Sequence, residues 1–363
     1  MTVTVRSTSF ILKQVFKRLC LTIALTPTSV VAQEQTPLNI GLILPLSGKA
    51  QLGGEAVRDG AQLAKCVVDE VATLTIEDGA LDNARSVAAA RKLISSDQIH
   101  ALVVFASGPS NAVASVAESA KVPMVGMSID PNVSRGRKWV MIHWASNARV
   151  ASELFDVLAE KKHQRVGIVT SQTQGILELA EYFREEAKRR GVAIATDLEL
   201  LPSETDLRPT ILALRKQKLE AVFLNVYYGQ AGLFAVQARE LGFSPFYVSH
   251  FVLDNQNEIA SARGALDGAV FASTGTGDGS FERQFVERYG RKPILGAIGG
   301  HDIIDLLCRA AEGGYDRATL NTALHQMKDY PGKIGTYDAL PDGSFAVPAS
   351  RRTIVNGTIR EGR

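Results

Sequence analysis

Residues 38–64 read LNIGLILPLSGKAQLGGEAVRDGAQLA, and three patterns follow one another in this stretch. An apolar run typical of a buried strand comes first, then a loop rich in small residues, then the apolar spacing of an amphipathic helix. A strand, a short loop and a helix in this order predict the first unit of a parallel sheet covered by helices. The same alternation continues along most of the chain, so we predict an α/β protein with doubly wound parallel sheets.

Ten strands and ten helices are predicted from this alternation, and the first helix is expected at 53–71. The predicted strands are 39–44, 73–77, 101–105, 124–126, 140–143, 166–170, 193–200, 221–226, 245–249 and 269–273. The end of the chain, 332–363, differs because the turn dipeptides Asp342-Gly343 and Asn356-Gly357 separate short strand-like runs. This pattern predicts a β-rich tail.

Residues 1–32 have the pattern of a secretory signal. Its basic residues are Arg6, Lys13, Lys17 and Arg18, and it contains no acidic residue. An apolar run follows at 19–25, and Val30-Val31-Ala32 places small residues where a signal peptidase needs them. The run is shorter than the roughly 20 residues of a membrane span. We therefore expect export and cleavage near Ala32, with an N-terminal membrane anchor as the alternative.

Charge and length restrict the remainder of the chain. The 40 Lys and Arg residues nearly balance the 38 Asp and Glu residues. Because four of the basic residues lie in the leader, the rest is slightly acidic and gives no reason to expect nucleic acid as a partner. The remaining length exceeds that of a single compact core, so two lobes are expected.

Two cysteines, Cys66 and Cys308, follow the leader. An oxidising compartment permits a disulfide between them. Two buried free thiols are the alternative, because the sequence does not show whether the helices that carry them meet. No CxxC pair and no Cys/His cluster with zinc spacing is present, so no metal site is predicted.

Motifs of enzymes are missing from the sequence. It contains no HExxH, no P-loop lysine motif and no GxSxG. The glycine-rich TGTGDGS at 274–280 lacks the strand-then-helix context of a dinucleotide site and predicts a turn. We therefore predict a protein that is not an enzyme, with no catalytic residue and no cofactor.

Six segments carry a resemblance to a known family. They are LILPLSGKAQLGGEAVRDGAQLA, ALVVFASGPSNAVASVAESAKVPMVGMSID, QRVGIVTSQTQGILELAEYFREEAKRRGV, SETDLRPTILALRKQKLEAVFLNVYYGQAGLFAVQARELG, GHDIIDLL and GKIGTYDALPDGSF. Together, in this order, they resemble the type I periplasmic solute-binding proteins, the leucine/isoleucine/valine-binding group of ABC importers. The resemblance covers nearly the whole chain after the leader.

The resemblance implies two doubly wound parallel-sheet lobes joined by three crossovers, with the ligand in a cleft between them. It places a first lobe at 37–145 and 274–344, and a second lobe at 146–273 and 345–363. It also implies a periplasmic, monomeric protein whose closed form docks on an ABC permease in the inner membrane.

Candidate ligand-binding residues of the first lobe include Leu52, Phe105 and Ser107. Ser107 follows the strand at 101–105 and begins a helix, where backbone N–H groups suit a carboxylate. In the family the matching Ser binds the ligand carboxylate, and a simple N-cap is the alternative. Phe105 ends the strand, and Leu52 stands where the family often has Tyr.

Ser128 and Asp130 follow the strand at 124–126. The family meets both the amino and the carboxylate group of the ligand in this loop, usually with a small residue and then Ser or Thr. Asp130 departs from that pattern, and an anion here favours an ammonium or a hydroxyl of the ligand. A local Asx turn before Pro131 is the alternative.

Candidates of the second lobe are Gln174, Tyr227, His250, Phe251 and Asp254. Gln174 stands where the family usually has Tyr, whereas Tyr227 keeps an aromatic residue at a strand end, with packing in the core as its alternative. The family has an acid near the position of Phe251 that binds the ligand ammonium, and Asp254 or His250 is expected to replace it.

Two other pairs are assigned to packing and not to the site. Trp139 and Trp144 flank the first crossover, and His301-Asp302 occupies the Tyr-Asp position of a family helix.

The function predicted from these features is capture of a small polar organic solute, an amino acid or an amino-acid-like compound, by hinge closure. The changes at Leu52, Asp130 and Gln174 argue against leucine, isoleucine or valine itself. The alternative is a periplasmic sensing subunit that presents a small molecule to a membrane receptor without transport. An exported enzyme on the same fold is a third interpretation.

Overall fold

The computed structural model describes residues 37–48, 50–173 and 175–362, so the expected leader and Gln174 lie outside the described residues. The strands are β1 Leu38–Leu44, β2 Ala72–Asp78, β3 Ala101–Phe105, β4 Met124–Met127, β5 Val140–Ile142, β6 Arg165–Ser171, β7 Ala193–Leu200, β8 Ala221–Asn225, β9 Phe246–Ser249, β10 Val270–Thr274, β11 Tyr330–Pro331, β12 Thr336–Tyr337, β13 Ala349–Val355 and β14 Thr358–Glu361.

Two larger sheets organise these strands. The first has five strands in the order β2-β1-β3-β4-β5, all parallel. The second has seven strands in the order β14-β13-β10-β9-β8-β6-β7. Its body is parallel, and the β-rich tail adds β13 antiparallel to β10 and β14 antiparallel to β13. Strands such as β8 are buried along their whole length, as parallel strands between two helical layers are.

Helices cover both sheets. They are α1 Gln51–Ala61, α2 Lys65–Val68, α3 Asn83–Ser95, α4 Ser107–Ala120, α5 Asn147–Glu160, α6 Ile176–Arg190, α7 Arg208–Arg215, α8 Ala231–Glu240, α9 Gln256–Ser261, α10 Ser280–Tyr289, α11 Ala297–Ala310 and α12 Arg317–His325. We call the five-stranded sheet with α1–α4 and α10–α12 the first lobe, and the seven-stranded sheet with α5–α9 the second lobe. Within the part of the chain that the structure describes, no helix combines the length and apolarity needed to cross a membrane.

The predicted single helix at 53–71 is wrong, because the chain leaves the helical conformation between α1 and α2. Ala64 has an extended backbone with ψ of 133°. Leu63 and Ala64 are buried at this break, and the redirected short helix α2 carries Cys66 to Cys308 of α11, with which it forms a disulfide. The two cysteines, whose pairing the sequence leaves open, therefore form a disulfide bond.

Three connections lead from one sheet to the other: between β5 and α5, between β10 and α10, and just before β13. They lie side by side. The N–H of Ala145 donates to Thr274 Oγ1 (3.2 Å), which joins the first connection to the second. The N–H of Phe345 donates to the Ile142 carbonyl (3.0 Å), which joins the third to the first. The glycine-rich segment 274–280 is the second connection, as its turn pattern predicts.

A buried polar cluster lies beside these connections. The carboxylate of Asp302 on α11 accepts hydrogen bonds from the backbone N–H groups of Lys333 (2.8 Å) and Ile334 (3.0 Å). Tyr337 Oη lies 2.7 Å from Nε2 of His143, and the His143 side chain is completely buried. Asp302 thus has the structural role that the sequence assigns to it.

Candidate ligand-binding site

A cavity of about 360 Å³ lies between the two lobes. Most of its lining residues come from the segments after β1, β3 and β4 of the first lobe and after β6, β8 and β9 of the second. These are the carboxyl ends of parallel strands, where helix N-termini and loop backbones leave polar groups without partners. The volume is that of a site for a small organic molecule.

The wall of the cavity is mostly apolar and rich in aromatic side chains. The aromatic residues that line it are Phe105, Trp144, Tyr227, Tyr228 and Phe251. Phe251 packs edge-on against Trp144 and Tyr228, with ring centroids 6.2 Å apart in both pairs. Trp144 therefore belongs to the cavity wall, and its assignment to packing away from the cleft is wrong.

The N-terminus of α4 forms the polar end of the cavity in the first lobe. Ala106 has a positive φ of 70°, which turns the chain sharply from β3 into the helix. The N–H groups of Ser107 and Gly108 have no acceptor among the described residues. Ser107 Oγ accepts a hydrogen bond from Ser128 Oγ (2.9 Å), which fixes its direction. Exposed amides and the helix dipole together suit a negatively charged group.

Thr173, after β6, supplies a polar group from the second lobe. Thr173 lines the cavity, and its Oγ1 is buried without a hydrogen-bond partner among the residues that the structure describes. A buried hydroxyl without a partner costs free energy unless a ligand satisfies it. The sequence places its candidate one position later, at Gln174, and misses Thr173 because a strand end does not show which of two neighbours faces inward.

Asp254, after β9, is the charged residue on the second-lobe wall, and it is paired with Arg352. The Arg352 guanidinium donates to Asp254 Oδ1, and its Nη2 donates to the Thr274 carbonyl (2.6 Å). Both side chains are only 5% exposed. Burial raises the pKa of Asp254, although Arg352 and the hydroxyl of Ser273 oppose that shift. The sequence offers no signal that Arg352 belongs to the site.

Six residues expected from the sequence lie on the cavity wall. They are Leu52, Phe105, Ser107, Tyr227, Phe251 and Asp254. The structure does not place Ser128, Asp130 or His250 on that wall. Ser128 lies behind Ser107, to which it donates its hydrogen bond.

Asp130 is fully buried and caps a 3-10 turn, Pro131–Val133. Its carboxylate accepts hydrogen bonds from the Asn132 N–H (2.9 Å), the Asn132 side chain (2.9 Å) and the Asn111 side chain. Asp130 therefore forms the local Asx turn that was the alternative prediction. Nearby donors satisfy its carboxylate, so the expectation that it faces a ligand ammonium is wrong.

His250 is also fully buried, and its Nδ1 accepts a long hydrogen bond from the Val252 N–H (3.4 Å). Burial lowers its pKa to about 3, so the ring is neutral at ordinary pH. It caps the 3-10 turn that presents Phe251 and Asp254 and supports the wall from behind.

The two lobes touch beside the cavity. Asn132 Nδ2 donates to Glu178 Oε1 on α6 (2.8 Å), and Asn147 Nδ2 on α5 donates to the Ile129 carbonyl (3.0 Å). Both hydrogen bonds join a first-lobe loop to a second-lobe helix. The two lobes are therefore in contact on this side of the cavity.

No group of three or more His, Cys, Asp or Glu side chains suited to a metal ion occurs among the residues that the structure describes.

Comparisons with known proteins agree with this architecture. A family model described as "Periplasmic binding protein" matches residues 37–352. A Leu/Ile/Val-binding protein of Rhizobium johnstonii is 25% identical over 86% of this chain and 91% of its own length. The crystal structure of a leucine-binding protein from Thermotoga maritima superposes with a TM-score of 0.82 at 23% identity, over 90% of this chain and 98% of that one. A solute-binding protein of an ABC transporter from Rhodopseudomonas palustris, in complex with 3,4-dihydroxybenzoic acid, gives a TM-score of 0.79 at 20% identity, over 90% and 96% of the two chains.

Proposed function

The chain belongs to the periplasmic binding protein family, and from this premise we propose that it captures a small organic solute bearing a carboxylate, an amino acid or an amino-acid-like compound, by hinge closure. Its fold is the type I fold of that family, and it is a solute-binding protein of the ABC-importer kind and not an enzyme. The observation that carries the proposal is the cavity between the lobes, with a mostly apolar wall and a few polar groups from both lobes.

Each lobe contributes one polar anchor to this proposal. The first lobe offers the Ser107 and Gly108 N–H groups, and the second offers the hydroxyl of Thr173. A carboxylate that binds both anchors has a higher affinity for the closed form than for the open form. Only such a difference in affinity shifts the equilibrium towards closure.

The hinge of the proposed motion is the set of three adjacent connections. We place the lobes at 37–145 with 274–344 and at 146–273 with 345–363. The hydrogen bonds of Asn132 to Glu178 and of Asn147 to the Ile129 carbonyl form on closure and hold the two lobes together.

The partners follow from the family. Its members are exported to the periplasm, and we propose that this chain is cleaved near Ala32, acts as a monomer and delivers its solute to an ABC permease. Co-purification of the loaded protein with a permease from membranes supports import, whereas co-purification with a membrane receptor alone supports the sensing role.

A solute screen tests the proposal directly. Trp144 lies on the cavity wall, so a Trp139→Phe background leaves a tryptophan whose emission responds to the bound solute. A ligand at 100 times its dissociation constant is expected to add about 2.7 kcal/mol of stability. We expect one compound among amino acids, amides, polyamines, aromatic acids and sugars to raise the melting midpoint and change the Trp144 emission together. A cooperative melt that no compound shifts argues against solute capture.

Thr173→Val is expected to lower ligand affinity 10- to 100-fold, because a hydrogen bond to a charged group contributes about 1.5–3 kcal/mol. The change keeps the shape of the side chain and removes only the hydroxyl, which has no partner to lose among the described residues. Isothermal titration with the best compound from the screen measures the effect.

The matched control is Thr173→Ser, which keeps the hydroxyl and is expected to retain most of the affinity. Equal affinities of the Val and Ser variants would show that the second lobe binds the solute without Thr173.

A further inference from the structure

The charges of the side chains around the cavity determine which charged groups a ligand can have. Among the described residues that line the cavity, Asp254 alone bears a charge. Its partner Arg352 is held from three sides: by Asp254, by the Thr274 carbonyl and by the ring of Phe271, whose centroid lies 5.3 Å from the guanidinium carbon. Arg352 reaches this place because β13 pairs with β10 in the register that sets Arg352 opposite Phe271.

The Asp254–Arg352 pair has no net charge to offer a cation. A ligand ammonium beside Asp254 would lie close to the Arg352 guanidinium as well, so attraction and repulsion would offset each other. The ammonium would still lose its hydration on entering a cavity with an apolar wall, and that loss is costly without a paired charge.

The opposite end of the cavity compensates a negative charge. The α4 N-terminus presents the N–H groups of Ser107 and Gly108 and the positive end of the helix dipole. Asp130, the other acid expected to contact an ammonium, lies off the wall and accepts hydrogen bonds from Asn111 and Asn132. The cavity therefore stabilises an anion at one end and provides no unpaired anion for a cation at the other.

Resting on the proposed function, we propose that Arg352 sets the charge class of the ligand, and that the site takes a monocarboxylate with an apolar or aromatic body and no ammonium group. Arg352 acts by neutralising Asp254, which would otherwise serve as the acceptor for an amino acid. It is a specificity-determining residue of the same cleft, supplied by the C-terminal tail.

Matched pairs of compounds test this in the unmodified protein. Leucine is compared with 4-methylpentanoate, and phenylalanine with 3-phenylpropanoate, by isothermal titration. The members of a pair share the body and the carboxylate and differ in the ammonium. We expect at least one acid to bind, and to bind tenfold or more tightly than its amino acid. An amino acid that binds more tightly than its deaminated partner overturns the inference and leaves the proposed function intact. If neither pair binds, a hit on another amino acid in the screen also overturns the inference alone, and a hit on an aromatic acid supports it. Hits only on compounds without a carboxylate, or no hit at all, contradict both the inference and the proposed function.

Arg352→Gln extends the test, and Arg351→Gln is its matched control. Arg351 is the neighbour on β13, but its guanidinium lies among Glu153 and Glu160 outside the cavity. We expect Arg352→Gln to shift the acid-to-amino-acid affinity ratio at least tenfold towards the amino acid, and Arg351→Gln to leave the ratio unchanged. An unchanged ratio in a folded Arg352→Gln protein overturns the role of Arg352. If that variant does not fold, the matched pairs in the unmodified protein still decide the ligand class.

Discussion

Acidification from pH 7 to pH 4 is expected to cost the protein about 6 kcal/mol of unfolding free energy through two buried histidines. His143 lies in the polar cluster beside the crossovers, and burial lowers its pKa from 6.5 to about 4, against a smaller upward effect of Asp302. His250 lies behind the cavity wall, and burial lowers its pKa to about 3. Each shift contributes about half of the expected loss.

The sign follows from proton binding. A histidine with a lowered pKa in the native state binds its proton more weakly when folded than when unfolded, so acid favours the unfolded state. The stability is complete above the unfolded pKa of 6.5 and is lost progressively as the pH falls towards the folded values. A loss of this size is comparable with the lower end of the stability of a typical domain, about 5–15 kcal/mol.

Two buried carboxyl groups act in the opposite direction. Burial raises the pKa of Asp254 and of Glu258, so the folded protein takes up these protons more readily than the unfolded chain. Their protonation on acidification offsets part of the histidine effect. The change attributable to the histidines is therefore best read from variants and not from the total.

Denaturant unfolding at pH 7, 6, 5 and 4, followed by circular dichroism, measures the prediction. His143→Gln and His250→Gln are each expected to remove about half of the fall in stability between pH 6.5 and 4, whatever their stability at pH 7. His325→Gln, at a partly exposed position, is the matched control and is expected to keep the full slope. If His143→Gln and His250→Gln lose as much stability between pH 6.5 and 4 as the parent protein does, neither ring is held neutral by the fold.

The cavity residues that the sequence predicts best are those whose position follows from the local pattern of apolar strands. Ser107, Tyr227 and Phe251 could be predicted as cavity residues because each lies two residues after the end of an apolar strand. The carboxyl ends of parallel strands meet at one edge of a sheet, so a strand-end position is itself a prediction of the site. The resemblance to the family supplied what local pattern lacks, namely the pairing of the two lobes.

The sequence does not show the direction in which the side chains of Asp130 and His250 point. Both follow strands as expected, but each caps a short turn with its own side chain instead of facing the cavity. Asp and Asn next to a turn find backbone donors within two residues, and that local competition leaves no trace in the pattern of apolar residues.

The contact of Arg352 with Asp254 could not be predicted from the sequence, because it depends on long-range strand pairing. Arg351 and Arg352 look alike in the sequence, and only the register of β13 on β10 sends one outward to Glu153 and Glu160 and the other inward to Asp254. A residue that decides the charge of the cavity thus lies 98 positions from its partner along the chain. The Cys66–Cys308 bridge could not be predicted for the same reason, because it also depends on contacts between distant parts of the chain.

Removal of the Cys66–Cys308 disulfide is expected to lower the unfolding free energy by about 5 kcal/mol on the loop-entropy estimate. The bridge has a sequence separation of 242, so the loop that it closes contains every strand of the second lobe except the tail. The unfolded chain gains the conformational freedom of that whole loop when the bridge is absent. The expectation applies to Cys66→Ala, to Cys308→Ala and to the double variant alike.

Thermal and denaturant unfolding of the four proteins, with and without dithiothreitol, measures this effect. Both cysteines are only half-buried, so the reductant is expected to bring the parent protein to the stability of the double variant and to leave that variant unchanged. The single variants are expected to match the double one, because either substitution removes the same bridge. Ligand affinity is expected to stay within about twofold, because neither cysteine lines the cavity. A double variant as stable as the parent would contradict this expectation. It would mean that packing alone holds α2 against α11, and that a compact unfolded state has already lost the entropy of the closed loop.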